Sequence, residues 1–307
     1  MKDQLITLFG GGGFIGRYVA QALLAAGARV RIAQRDPRQA WFLKPLGGLG
    51  QTQFIAADLL KPATVARAIE GADGVVNLIG SFDNMQALHV DGARRVAETA
   101  AAEGVGALVH VSAIGADHAA PAVYGRTKAA GEDAVRTAFP SATIVRPSLV
   151  FGREDAFTNR FAGMIASLPV VPVLRGETRF QPVYVKDVAA AMVAALADPD
   201  RHGGQTYELG GPDVLSLRAI YGWLADTVGR HPPMPPVPDA LGGVLAMLPG
   251  VPITADQWRM LARDNVVSDG ADGLAALGIT PTPMASVAPA WLVRFRRQGR
   301  FAKRQPA

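Results

Sequence analysis

The sequence predicts an α/β fold, a doubly wound parallel sheet with a small C-terminal α+β lobe. Three observations point there. Short apolar runs alternate with helix-period stretches through the first half of the 307 residues. Those runs are apolar on both faces, as strands covered by helices on each side must be. The first of them runs into a glycine-rich turn that opens a helix.

In order, the strands are expected at 5–9, 29–34, 53–57, 74–79, 107–112 and 143–146, with helices at 14–26, 64–70, 86–103 and 123–138 between them. After Phe151 the alternation becomes irregular. Short strands are expected at 170–174, 180–185 and 205–209, and helices at 188–196 and 217–228. A run of prolines (Pro232, Pro233, Pro235, Pro236, Pro238) follows, and Thr254 to Gln257 reads as a capping box opening a helix through Leu261. The expected division is a nucleotide-binding domain at 1–152, a smaller lobe at 153–293 interleaved with the sheet around 176–215, and a basic tail at 294–307.

Composition narrows the class. Hydrophobic residues make up 49 % and charged residues 19 % of the chain, which excludes a disordered or collagen-like protein. Without cysteine there is no disulfide framework, thiolate metal site or cysteine nucleophile. The five histidines form no HxxxH or HExxH pattern, so no metal site is expected. The net charge of +5 is uneven: Arg294, Arg296, Arg297, Arg300, Lys303 and Arg304 crowd the end, and without them 25 basic residues face 26 acidic ones. Nucleic-acid binding is not expected from a basicity confined to a tail. Met1 leads almost directly into the first apolar strand with no signal-peptide or presequence pattern, and the apolar stretch at 240–253 is too short and too proline-broken to span a membrane.

The glycines fit two spacings. Gly10, Gly13 and Gly16 fit GxxGxxG, and Gly11, Gly13 and Gly16 fit GxGxxG. Either way the loop of a Rossmann-type dinucleotide site is expected, with the pyrophosphate on the helix N-terminus. An acid ending the second strand would take the ribose hydroxyl of NAD. Here Gln34 stands there, followed by Arg35, with Arg17 and Arg38 able to join it, so a 2′-phosphate and hence NADPH is favoured over NAD. Asp36, beside Pro37, reads as a turn residue. Asp58 is a candidate for the adenine edge, and Gly80 lets the backbone approach the ribose.

Tyr124 and Lys128 stand four apart on one helical face. The spacing resembles that of short-chain dehydrogenases, which implies a lysine that lowers the tyrosine pKa and holds a ribose and a tyrosine that passes a proton. Together with Asp58, Arg146 to Gly152 and Pro182 to Val188, the motifs resemble the extended or atypical short-chain dehydrogenase/reductase superfamily. The segments Gly203 to Pro212, Asp264 to Val267 and Leu277 to Pro281 resemble, more narrowly, the family of alpha-subcomplex subunit 9 of respiratory complex I (NADH:ubiquinone oxidoreductase).

That resemblance, which covers nearly the whole chain, implies a tightly held structural NADPH. It also implies docking among the other complex I subunits on the peripheral arm near the membrane: the cytoplasmic face in a bacterial-type complex, the matrix side in a mitochondrial one. The implied cofactor residues are Gly10, Gly13, Phe14, Ile15, Gly16 and Arg17; Arg35 and Arg38; Asp58 and Leu59; Leu78, Ile79 and Gly80; Val111 and Ser112; Tyr124 and Lys128; and Pro147 and Leu149. The sequence departs from active enzymes at the end of the fifth strand. The catalytic Ser or Thr would align with Ala113, and Ser112, one place early, faces the other way unless the strand bulges. Losing that hydroxyl donor removes about 2–4 kcal/mol of transition-state stabilisation. The expected role is therefore a cofactor-binding accessory subunit with little or no turnover. The alternative is a free NAD(P)-dependent reductase or sugar-nucleotide epimerase/dehydratase. The proline run and the apolar stretch at 240–248 read as core of the lobe or, alternatively, as a face for a partner subunit or the bilayer. The tail, with Phe295 and Phe301 among its cations, reads as a solvated tail or as an anchor on acidic lipid or an acidic partner.

Overall fold

The computed structural model describes residues 1–245, 253–297 and 299. The expected fold class is borne out. Seven strands, β1 (Leu5–Phe9), β2 (Arg29–Gln34), β3 (Thr52–Ala56), β4 (Gly74–Asn77), β5 (Ala107–Val111), β6 (Thr143–Pro147) and β7 (Thr206–Leu209), form one sheet in the order β7-β6-β5-β4-β1-β2-β3. Every pair in it is parallel. Helices α1 (Phe14–Ala25), α2 (Pro62–Ile69), α3 (Ala93–Ala102), α4 (Val123–Ala138) and α5 (Val185–Ala197) cover it. Burial explains the strand composition: all five residues of β1 and of β5 are buried, whereas β3, at the sheet edge, is half exposed. On one face Phe9, Val75, Leu108 and Ile144 pack with Val65, Val96 and Val135 from the helices.

The chain divides into two compact units. The first holds Met1–Pro147, Val185–Leu209 and Val267–Thr280; the second holds Ser148–Tyr184, Gly210–Val266 and Pro281–Ala307. The strand expected at 205–209 is the sheet's seventh, β7. In the second unit, helices Ala156–Ser167 and Leu217–Val228 enclose a core of Phe151, Ile165, Val173, Tyr221, Leu224 and Leu292. The prolines serve it as acceptors. Val171 and Val173 donate their N–H groups to the Pro233 and Pro235 carbonyls, so chain without N–H donors still makes one side of a ladder. The expected capping box is present, with Thr254 and Gln257 bonding each other's backbone at the start of Ala255–Met260.

The helix expected at 86–103 is two elements, a π-helix Gln86–Gly92 followed by α3. Periodicity cannot foresee this, because a π-turn shifts the register only locally. Of the candidate contact regions, residues 246–252 of the apolar stretch and residues 298 and 300–307 of the tail, including Phe301, lie outside the described residues. Among those described, no helix is long and apolar enough to cross a membrane.

Candidate cofactor site

The sheet order reverses direction between β1 and β4, and the crevice outside their carboxyl ends is where such sheets bind ligands. The predicted residues from Gly10 to Pro147 all belong to the first unit, at the ends of β1 to β6 or on α1 and α4. Leu149 belongs to the second unit.

The loop is built for close backbone approach. Gly10 sits at φ +82°, donates to the Ala33 carbonyl and accepts from Gly13 N–H. Gly13 is the N-cap of α1, with no side chain to cap it and no acid in the first turn. The first intrahelical bond runs from Arg17 N–H to Gly13 O. The N–H groups of Phe14, Ile15 and Gly16 therefore have no intrahelical partner, an arrangement that favours an anion. At the end of β2, Gln34 takes no ribose-binding acid's role. Its Oε1 accepts from Gly12 N–H at 3.1 Å and its Nε2 donates to the Asp36 carbonyl at 2.7 Å, bracing the loop.

Asp36 is the N-cap of a 3₁₀ helix, Pro37–Leu46. Its carboxylate takes Arg38 through two bonds, Nε at 2.9 Å and a terminal nitrogen at 3.2 Å, which hold the Asp36 carboxyl below its usual range. Arg38 is thus engaged within its own turn, while Arg35 is exposed. The Arg17 guanidinium stacks 4.6 Å from the Phe42 ring centroid. Asp58 is half-buried and forms an Asx turn, Oδ1 accepting from Leu60 N–H at 3.0 Å, while the Leu59 carbonyl accepts from Arg95.

Beyond β4 the Tyr–Lys pair comes together with Gly80: a Cβ there would lie 3.7 Å from Lys128 Nζ and 4.0 Å from the Tyr124 hydroxyl. Lys128 is buried and donates to the Val111 carbonyl at 3.0 Å and, more weakly, to the Ile79 carbonyl at 3.5 Å. Burial lowers its ammonium to about pKa 8, opposed by Glu132. The Nζ lies 5.8 Å from the Tyr124 ring centroid. The lysine does not pull the phenol down as the spacing suggested. Burial dominates and raises the Tyr124 hydroxyl to about 12.

Ser112 continues the β5–β6 ladder without a bulge. Ser112 N–H donates to Val145 O and Ile114 N–H to Pro147 O, two residues on each side. Ser112 and Ala113 therefore face opposite ways, and the buried Ser112 Oγ has no hydrogen-bond partner.

Three features were not visible in the sequence. His89, buried on the π-helix, accepts from Ser81 N–H at Nε2 (3.1 Å). Its Nδ1 therefore carries the proton and donates to Thr127 Oγ1 (3.0 Å), which in turn donates to the Tyr124 carbonyl. Tyr124 is held between rings, stacked on Phe82 at 4.9 Å and edge-on to His89 at 5.3 Å. On β5, buried His110 accepts from Asn77 at 3.3 Å. Behind the pair, buried Glu132 takes Arg146 through bonds of 2.8 Å to each oxygen and Arg136 at 3.1 Å, and Arg146 reaches Glu208 at 3.3 Å.

Both histidines stay neutral in the fold. Burial, with Lys128 next in importance, lowers His89 to about 4 and His110 to about 3. The stability they confer is complete above pH 6.5, the ordinary imidazole value, and is lost as pH falls toward 4 and 3, because the unfolded chain takes up protons that the fold refuses. Between pH 6.5 and 5 each contributes up to about 1.4 kcal/mol per pH unit. Urea midpoints should fall across that window, and His89→Asn should remove about half of the histidine slope. An unchanged slope in the variant would contradict the buried neutral assignment.

Residues 6–210 match the family described as the NAD dependent epimerase/dehydratase family. A mitochondrial NADH dehydrogenase [ubiquinone] 1 alpha subcomplex subunit 9 from Arabidopsis thaliana is 33 % identical, over 95 % of this chain and 78 % of that protein. The protein of the same name from Mus musculus is 35 % identical, over 92 % of this chain and 78 % of its own length. Among solved structures, the Citrobacter sp. triphenylmethane reductase complexed with NADP(H) shares the fold, with a TM-score of 0.77 at 19 % identity, covering 93 % of this chain and 99 % of that one.

Proposed function

The chain belongs to the NAD dependent epimerase/dehydratase family, in its alpha-subcomplex subunit 9 branch, and we propose that it is a nucleotide-binding accessory subunit of respiratory complex I, holding NADPH as a structural element with little or no turnover. The observation that carries this reading is a contrast within one site. The loop at Gly10 to Arg17 and the buried Lys128 form a cradle, with the Lys128 ammonium beside Gly80, where it would hold a ribose. The proton-transfer parts are not poised: Tyr124 holds its proton up to about pH 12, and the serine is out of phase with the position it would occupy in an active enzyme. NADPH brings hydride chemistry when bound; these residues hold it more readily than they use it.

Arg35 is the cation assigned to the 2′-phosphate, since Arg38 is taken by Asp36. A charge-assisted hydrogen bond contributes about 1.5–3 kcal/mol, so Arg35→Ala should weaken NADPH by about 10- to 100-fold and leave NADH little changed. Equal effects on both nucleotides would refute the assignment. The placement beside the membrane, on the cytoplasmic face of a bacterial-type complex or the matrix side of a mitochondrial one, belongs to the same proposal, with the basic tail as its contact. Tagged protein from its native membranes should migrate with the large complex on a native gel. Migration as a free protein, with Tyr124→Phe abolishing a carbonyl reduction, would replace this reading with that of a free reductase.

A further inference from the structure

We propose that residues 37–49, at the β3 edge of the sheet, form a docking face for a neighbouring protein subunit that presents carboxylates around an apolar ridge; this rests on the accessory-subunit reading. Four of the ten exposed large apolar side chains among the described residues fall within nine positions: Trp41 (48 % exposed), Phe42 (46 %), Leu46, and Leu49, which is wholly exposed. The same 3₁₀ helix buries Ala40 and Leu43 completely, so its inward side is settled, and Trp41, Phe42 and Leu46 are exposed along it with Arg38 and Lys44. Exposed apolar side chains gathered in so short a stretch mark interaction surfaces, where singly scattered ones do not.

Charge identifies the partner. With Arg35 left to the nucleotide, residues 29–54 carry Arg29, Arg31, Arg38 and Lys44 against Asp36 alone, in a chain that nets −1 once its tail is set aside. Asp36 is already taken by Arg38. The cations are mounted on the aromatics, Lys44 Nζ 4.0 Å from the Trp41 ring centroid and Arg17 4.6 Å from that of Phe42. Exposed tryptophan and phenylalanine with a neighbouring arginine are residue types that concentrate binding energy at protein interfaces. A second copy would set four cations against four. A lipid bilayer fits less well, because burying rings that carry stacked cations would carry charge into hydrocarbon.

The test uses the full chain in its native membranes. Leu49 is replaced by a photo-crosslinking amino acid in one strain, and a second strain carries Trp41→Ser with Lys44→Glu. Wild-type protein should run with the large complex, and the double variant should fall out of it by about tenfold or more. Nucleotide released from the purified variant should match wild type, which shows that it folds. The crosslink should map to an acidic stretch of another subunit. A crosslink to a second copy or to lipid, or normal assembly of the double variant, overturns the docking face while leaving the subunit reading intact. Failure of wild type itself to run with the complex overturns the subunit reading.

Discussion

Gly16→Ala should abolish nucleotide binding. A Cβ at this position would lie 2.6 Å from Gly11 Cα and 2.7 Å from Gly11 C, and closer still to the Gly10 carbonyl oxygen. All three are backbone atoms of the loop itself, so no side chain can swing aside. The loop must lift off the first turn of α1, at a cost of about 1–3 kcal/mol for overpacking. The larger effect falls on the ligand. Losing two of the charge-assisted N–H contacts that this helix N-terminus would make to a pyrophosphate would lower affinity by about 100-fold or more. Gly13→Ala is the control for folding, because its Cβ would meet only the Gly10 oxygen, at 3.2 Å. Its melting temperature should stay near wild type while that of Gly16→Ala drops. Titration with NADPH beside thermal melts of both variants checks this; wild-type affinity in Gly16→Ala would refute the loop assignment.

The largest loss of stability is expected behind the site, at Glu132. Its carboxylate is buried and holds Arg146 at both oxygens and Arg136 at one, joining α4 to β6 and, through Glu208, to β7. Glu208 in turn accepts from Ser268 N–H at 2.8 Å, so within the first unit the network also ties the segment Val267–Thr280 to β7. Removing the carboxylate leaves the mostly buried Arg146 with Glu208 but without its two-bond partner, which costs about 3–5 kcal/mol. Glu132→Gln should therefore lower the melting temperature by roughly 5–8 °C in a chain of this size. One residue along the same helix, Asp133 pairs with His118 at 2.7 Å with both side chains mostly exposed. Asp133→Asn should move stability by no more than about 1 kcal/mol. Denaturant melts of the two variants decide which pair matters; equal small effects would contradict a structural role for the network.

What the sequence disclosed and what it hid have physical causes. The strands at Leu5–Phe9 and Arg29–Gln34 and the helices at Val123–Ala138 and Leu217–Val228 have the bounds that periodicity and capping predict. Hydrophobic patterning is a local signal, and so is a glycine spacing. The ion network was invisible because Glu132, Arg146 and Glu208 stand far apart in the chain, and each alone reads as a solvated surface charge. His89 carries no motif, and its role depends on a π-turn that leaves the apolar pattern unbroken. Gln34 was recognised by the acid it replaces, yet its bond to Gly12 needed coordinates. The four-residue spacing of Tyr124 and Lys128 places them on one face, but it carries no information about desolvation. Their proton affinities, about 12 and about 8, follow from burial.

The central claim is a cofactor held and not turned over. Mass spectrometry of the small molecules released when the natively purified protein is denatured tests it most directly. The expected result is stoichiometric NADP(H) that survives repeated gel filtration and does not change redox state when the intact protein is offered carbonyl substrates. Protein that is free of nucleotide, or that carries NAD instead or exchanges its nucleotide freely during turnover, would contradict it.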